Sequence, residues 1–225
     1  LIFIAPVFLQ PVKAQNGKWI YEKQIGQRNP APYPHLREAD VMWAKKVWRL
    51  IDLREKMNHT FYYPTYPQGD WSSLIDVILG EINSGTVNAY DADSDQEGNN
   101  LTVVITQSEI DAKFGAGSRT ERIQDIDNPS LMIDTVITIE KNTSYVKQYL
   151  VQEVWYFDSK LSSLQVRILA ICPIVMAFNQ ATGTTQRRQL FWIYYPDFRN
   201  TFANHAAANP NNDAKRLSYD DPFLQ

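Results

Sequence analysis

The chain holds one cysteine, Cys172, among 225 residues. An intrachain disulfide is therefore excluded, and so is any zinc site that needs two cysteines. Cys172 lies in the apolar run Ile171-Cys172-Pro173-Ile174, where a small buried hydrophobe is expected rather than a nucleophile. Only three histidines occur, His35, His59 and His205, without metal-ligand spacing or a Ser or Cys partner. No nucleophile-elbow, zincin, Walker or Cys-x-x-Cys motif is found. Gly115-Ala116-Gly117 lacks a third glycine and follows a helical pattern rather than a strand, so it is no dinucleotide fingerprint. Basic excess is missing too: the net charge is −3, which argues against a dedicated nucleic-acid binder. With 9 Gly and 12 Pro, collagen-like and low-complexity classes fall away. No run is long enough to span a bilayer as a helix, which takes about 20 apolar residues.

What the chain does have is a globular composition, 44% hydrophobic and 12% aromatic, enough to offset the entropy of ordering one domain. Residues 1–15 open on Leu1-Ile2-Phe3-Ile4-Ala5 and reach Ala14-Gln15, the pattern of a signal-peptide remnant cleaved near that point. The mature chain is then an exported one. Residues 16–34 read as an extended arm, because Pro30, Pro32 and Pro34 each push the preceding residue out of helical geometry. Such an arm can lie on a partner or on its own domain.

Residues 35–225 read as a single α+β domain, with a helical part over 35–130 and a strand-rich part over 131–225. The fold class expected is an N-terminal helical region packed on a C-terminal, mainly antiparallel sheet. Over 36–58, Leu36, Ala39, Trp43, Ala44, Val47, Leu50, Ile51 and Met57 share one face of a 3.6-residue wheel, which predicts a long amphipathic helix. Leu74, Ile75, Ile78 and Ile82 predict a second helix ending near Gly85, with Asp70 able to cap it. Thr106-Gln107-Ser108-Glu109 reads as a capping box for a short helix ending at Gly115, and Ser118-Arg119-Thr120-Glu121 repeats that signature weakly. Strands are expected at Leu131–Ile139, Tyr149–Phe157, Leu164–Cys172 and Leu190–Tyr195, with Pro173 ending regular pairing. A short helix follows Pro196.

Two features invite chemistry. The loop Asp91-Ala92-Asp93-Ser94-Asp95-Gln96-Glu97 alternates oxygens as a calcium loop does, but has neither the glycine at position six nor the glutamate at position twelve in one register. A solvated turn is the simpler reading. The aromatics of the strand region, Trp155, Tyr156, Phe157, Phe191, Trp192, Tyr194 and Tyr195, predict a sheet apolar on both faces, covered by its own helices or by another protein chain.

The segment Arg37–Asn58 resembles the signature helix of the gliding-motility family GldN, called PorN in non-gliding relatives. Tyr62-Tyr63-Pro64, Trp155-Tyr156-Phe157-Asp158, Val166-Arg167-Ile168, Leu190-Phe191-Trp192-Ile193-Tyr194-Tyr195-Pro196 and Asn209-Pro210-Asn211-Asn212-Asp213 are similar to the same family. The resemblance covers nearly all of residues 35–220. It implies a non-enzymatic periplasmic component of the type IX secretion system of Bacteroidota, without a cofactor. It further implies a ring complex with an outer-membrane lipoprotein of the GldK or PorK type, neighbouring ring subunits, and contact with the motor protein GldM or PorM. For such a subunit the candidate partner-binding residues are Arg49, Arg54 and Glu55 on the charged face of 36–58, Tyr33 on the arm, and Trp192. An alternative class is an envelope hydrolase or a carbohydrate- or peptidoglycan-binding module using the aromatics as a platform. A perturbed carboxylate in a cleft would mark the former, and loss of sacculus binding on Trp192→Ala the latter.

Overall fold

The computed structural model describes residues 28–69, 71–94, 101–124, 132–179, 183–208 and 217–223. The signal-peptide reading of 1–15, most of the arm, Asp70 and the second half of the acidic loop lie outside them. Strands dominate. In chain order the elements are β1 (Val41–Asp52), α1 (His59–Tyr62), α2 (Leu74–Asn83), β2 (Ala89–Asp91), α3 (Gln107–Phe114), β3 (Gly117–Gln124), β4 (Met132–Ile139), β5 (Val146–Asp158), β6 (Ser163–Asn179), β7 (Thr184–Gln189), β8 (Phe191–Tyr194), α4 (Tyr195–Asn204), β9 (Ala206–Ala207), β10 (Leu217–Ser218) and α5 (Asp220–Phe223).

The expected N-terminal helical region does not form. The chain is mostly β, with short, scattered helices around a large antiparallel sheet. The main departure is 36–58. After a single 3-10 turn at Glu38–Asp40 the backbone becomes the twelve-residue strand β1, then turns into α1 through Lys56–Asn58. The reason lies in its apolar residues. Trp43, Val47 and Ile51 fall on one side of a strand; Met42, Ala44, Trp48 and Leu50 fall on the other. With apolar groups on both parities there is no period of two to read, and the mixture fits a helical wheel. Pairing with β5 from Val41 to Asp52 then overrides a helix-prone composition.

The sheet runs β1-β5-β6-β8-β2, with β7 also paired to β6. Every pairing in it is antiparallel. β5 and β6 form a long hairpin closed at Ser159–Ser162, where Asp158 accepts the N–H groups of Lys160 and Leu161. A bulge between Gln152 and Glu153 realigns the two strands. β6 does not stop at Pro173 as expected. Pro173 stands where the neighbouring strand changes from β8 to β7, so its missing N–H falls at a break in the ladder. Ser118–Glu121, read as a weak helix start, is part of β3.

The short helices follow their expected chemistry. Thr106 and Glu109 exchange side-chain and backbone bonds in a full capping box at the start of α3, and Gly115 ends it in left-handed geometry at φ 80°. Ser73 stands at the N-terminus of α2, where its side chain accepts the Asp76 N–H. α2 and α4 bury one face each on one end of the sheet. Leu74, Ile78, Phe198 and Phe202 meet Tyr149, Val151, Ile171 and Ile193 there, with Phe61, Tyr219 and Phe223 closing the core. On the opposite face a smaller cluster gathers Ala170, Cys172, Trp192, Tyr90, Leu101 and Leu150. Among the described residues α2 and α4 lie at this end. The half of the β1-β5-β6 ribbon nearest the β5–β6 turn leaves Trp43, Leu164 and Val166 exposed.

Candidate functional site

The described part of the arm, residues 28–34, crosses α4 and the free edge of β6. Three arginines hold it. Arg199 on α4 is 6% exposed and donates from Nη2 to the Ala31 carbonyl at 2.7 Å. The same guanidinium pairs with Asp220 at 3.4 Å, and the Tyr195 hydroxyl donates to that carboxylate at 2.9 Å. Arg167 on β6 donates to the Pro34 carbonyl at 2.6 Å. Arg28 pairs with Asp221, and its backbone N–H donates to Asn204 Oδ1 at 2.9 Å. The Tyr33 ring centroid lies 4.1 Å from the Arg199 guanidinium carbon and 5.0 Å from that of Arg167. Burial raises the Tyr33 hydroxyl above its usual range, and the Asp220 charge adds to this against the opposing arginines. Burial and then the Asp220 charge raise Tyr195 as well.

Beside this anchor lies a shallow cleft of about 440 Å³, lined by Tyr33, Arg49, Glu153, Trp155, Val166 and Phe223 among others. Glu153 is its buried carboxylate. Arg49 Nη2 pairs with it at 2.6 Å and the Trp155 indole donates to its second oxygen at 3.0 Å. The pair is assembled across the sheet, because Arg49 on β1 is diagonal to Glu153 on β5.

The sequence-derived candidates thus fall in different places. Tyr33 and Arg49 line this cleft. Arg49 is engaged within its own chain. Arg54 is exposed and pairs with Asp52 two residues back, at 2.5 Å. Its side chain and backbone N–H hold the Asp52 carboxyl well below the usual range, with Gln148 assisting. Glu55 is exposed and accepts from Asn58 at 3.3 Å. Trp192 is 5% exposed in the smaller core cluster, so it forms no surface platform.

Asp91 and Asp93 of the acidic loop both receive the Lys113 ammonium. Among the described residues no group of three His, Cys, Asp or Glu is placed to hold a metal ion. Burial pushes the Cys172 thiol up to about 12, which leaves almost no thiolate at neutral pH. His205 Nδ1 is satisfied by the Thr201 carbonyl, and His59 packs edge-on against Tyr63. Within the cleft Arg49, Glu153 and Trp155 are bonded to one another.

Two apolar residues of β1 outside the stripe read from the sequence, Met42 and Trp48, are 74% and 46% exposed, and Leu50 within it is 41% exposed.

Comparison with known proteins adds one finding. Residues 36–225 match the family described as gliding motility associated protein GldN. No curated protein matches the chain. Among the described residues no helix is long and apolar enough to cross a membrane. The family is a structural one, associated with gliding motility and the envelope type IX secretion system, and is not a known enzyme family. A match over all but the first 35 residues means that this chain belongs to the GldN family.

Proposed function

We propose that this chain is a non-enzymatic periplasmic structural subunit of the type IX protein secretion system. On this reading residues 1–15 are removed on export, and residues 35–225 act as one domain within a ring built with an outer-membrane lipoprotein of the GldK or PorK type. The ring contacts the periplasmic part of a GldM- or PorM-type motor protein and passes its force to the export apparatus. The observation that carries the reading is the family match across residues 36–225. The large uncovered part of the β1-β5-β6 ribbon, rich in Trp and aliphatic side chains, supports it, since a subunit of a permanent assembly keeps apolar surface for its neighbours.

The arm has two roles open to it under this reading. Its described part is anchored on its own domain by Arg28, Arg167 and Arg199, which leaves the outer side of Tyr33 and the preceding residues to meet the lipoprotein. The test is affinity purification of the tagged protein from mildly cross-linked envelopes, read by mass spectrometry. Lipoprotein and motor protein recovered in amounts comparable to the bait are the expected result. Recovery of the bait alone would overturn the assignment. Unchanged lipoprotein binding after deletion of residues 16–34 would remove the arm from the interface.

A further inference from the structure

We propose that the pocket at the start of β5 binds a peptide carboxylate, with the carboxylate on Lys147 and a neighbouring amide N–H on Gln148. The site is separate from the cleft beside the arm, and the inference does not depend on the ring-subunit reading.

A strand normally turns successive side chains to opposite faces. Here the pairing of β5 with β6 shifts between Val146 and Gln148, so Lys147 sits at a bulge. A bulge re-aims the side chain it carries. Lys147 and Gln148, adjacent in the chain, accordingly line one pocket together. The Leu53 N–H, donating to the Lys147 carbonyl at 2.9 Å, fixes the bulge from the β1 side. Arg54, Tyr62, Tyr63 and Met176 help to enclose a space of about 360 Å³. That size suits a small organic group better than a lone ion.

Two groups in the wall are left incomplete. Lys147 is partly buried, and its Nζ donates to the Tyr62 hydroxyl at 2.5 Å and stands 4.2 Å from the ring centroid. Among the described residues no carboxylate pairs with it, and no acidic side chain lines the pocket. An ammonium has three donors, and one drawn partly out of water is stabilised by an anion. Gln148 is 1% exposed. Its Nε2 donates to Asp52 Oδ2 at 3.0 Å, while its Oε1 has no partner. Buried carbonyl oxygens are normally bonded. Asp52 is itself paired with Arg54, so it leaves Lys147 as the uncompensated charge.

The missing occupant therefore has an anionic acceptor and, close to it, an N–H or O–H donor. The Tyr62 and Tyr63 rings and the Met176 thioether add an apolar wall. A carboxylate, an amide N–H beside it and an apolar side chain occur together at a peptide C-terminus, or at an acidic residue and its neighbour. An inorganic anion offers no apolar part.

The test follows the Met176 methyl by NMR in the full chain, isotope-labelled at its methionine methyls, with the resonance assigned from Met176→Leu. Acetyl-alanyl-leucine, with a free C-terminus, and acetyl-aspartyl-leucinamide, with only an internal acid, are titrated in turn. A saturable shift is expected, and the tighter of the two identifies the source of the carboxylate. Acetyl-alanyl-leucinamide, which has no carboxylate, should bind roughly tenfold or more weakly, the loss of one charge-assisted hydrogen bond. Lys147→Leu should abolish the shift and Lys147→Arg should retain it. Methylation of the amide nitrogen beside the carboxylate should also weaken binding, a readout of Gln148 that leaves the protein unaltered. Equal binding of peptides with and without a carboxylate overturns the inference, and so does unchanged binding of the methylated peptide. Inorganic phosphate binding as tightly as the peptides overturns it by making the pocket a general anion site. Absence of any saturable shift overturns it by leaving Gln148 to a buried water.

Discussion

Buried charge has to be neutralised where it sits, and Glu153 meets that requirement with two partners of unequal exposure. Arg49 is about half exposed, while the Glu153 side chain is almost fully buried. The asymmetry makes a prediction. Arg49→Ala leaves a carboxylate inside the sheet with only the Trp155 indole, and should cost about 1–3 kcal/mol, near the lower end because water can reach the site from the arginine side. Glu153→Gln leaves an arginine that water can solvate and should cost less. Urea unfolding of the two variants gives the order directly, and a reversed order would mean that the pair does not exist as described. A second prediction concerns acid. Hydrogen bonds from Arg54 depress Asp52, and Gln148 contributes. A carboxyl whose folded-state value lies below its unfolded one, about 3.9, binds fewer protons folded than unfolded in the interval between them. Its stabilisation is complete above the unfolded value and is lost as the pH falls through the folded one. Asp52→Asn should therefore lower the melting temperature at neutral pH and flatten its decline below about pH 4. Parallel melting curves of wild type and variant in acid would refute this.

At the scale of elements, the arm and α4 are tied through Arg199. That side chain neutralises Asp220 on α5, holds the Ala31 carbonyl and lies against Tyr33. Arg199→Ala leaves Asp220 buried with the Tyr195 hydroxyl alone, a loss expected at about 3 kcal/mol from the cost of breaking a buried pair. Hydrogen exchange at residues 31–36 should rise in the same variant, while exchange within β5 and β6 stays slow. Exchange unchanged along the arm would show that other contacts hold it. The elements also differ in how far they could be read in advance. α3 was legible from end to end because its signals are local: Thr106 and Glu109 start it and Gly115 stops it without help from the rest of the chain. β5 and the first half of β6 were legible because their central strands carry long β-branched and aromatic runs. β1 was not legible, because what makes it a strand is its partner 104 residues away, as in the Arg49–Glu153 contact.

Among the described residues the molecule is a long antiparallel sheet with a core at one end on both faces and, at the other, a ribbon on which Trp43, Leu164 and Val166 stay exposed. Its far-UV circular dichroism should be that of a β protein with a minor helical component. A helix-dominated spectrum would contradict the assignment of Val41–Asp52 to a strand. Composition and absences already bounded the chain: one buried thiol, no catalytic motif and no basic excess pointed away from disulfide frameworks, group transfer and nucleic acid. The resemblance of the Arg37–Asn58 segment to the GldN family was likewise legible, since a long ordered run of residue types identifies relatives whatever conformation it takes. Tertiary structure alone decided that this segment is an edge strand, that Trp192 is core, and that Arg49 and Arg54 answer carboxylates of their own chain. The physical reason is common to all three. Caps and turns are set by neighbours within four residues, whereas strand pairing, burial and ion pairing are set by segments that meet only when the sheet closes.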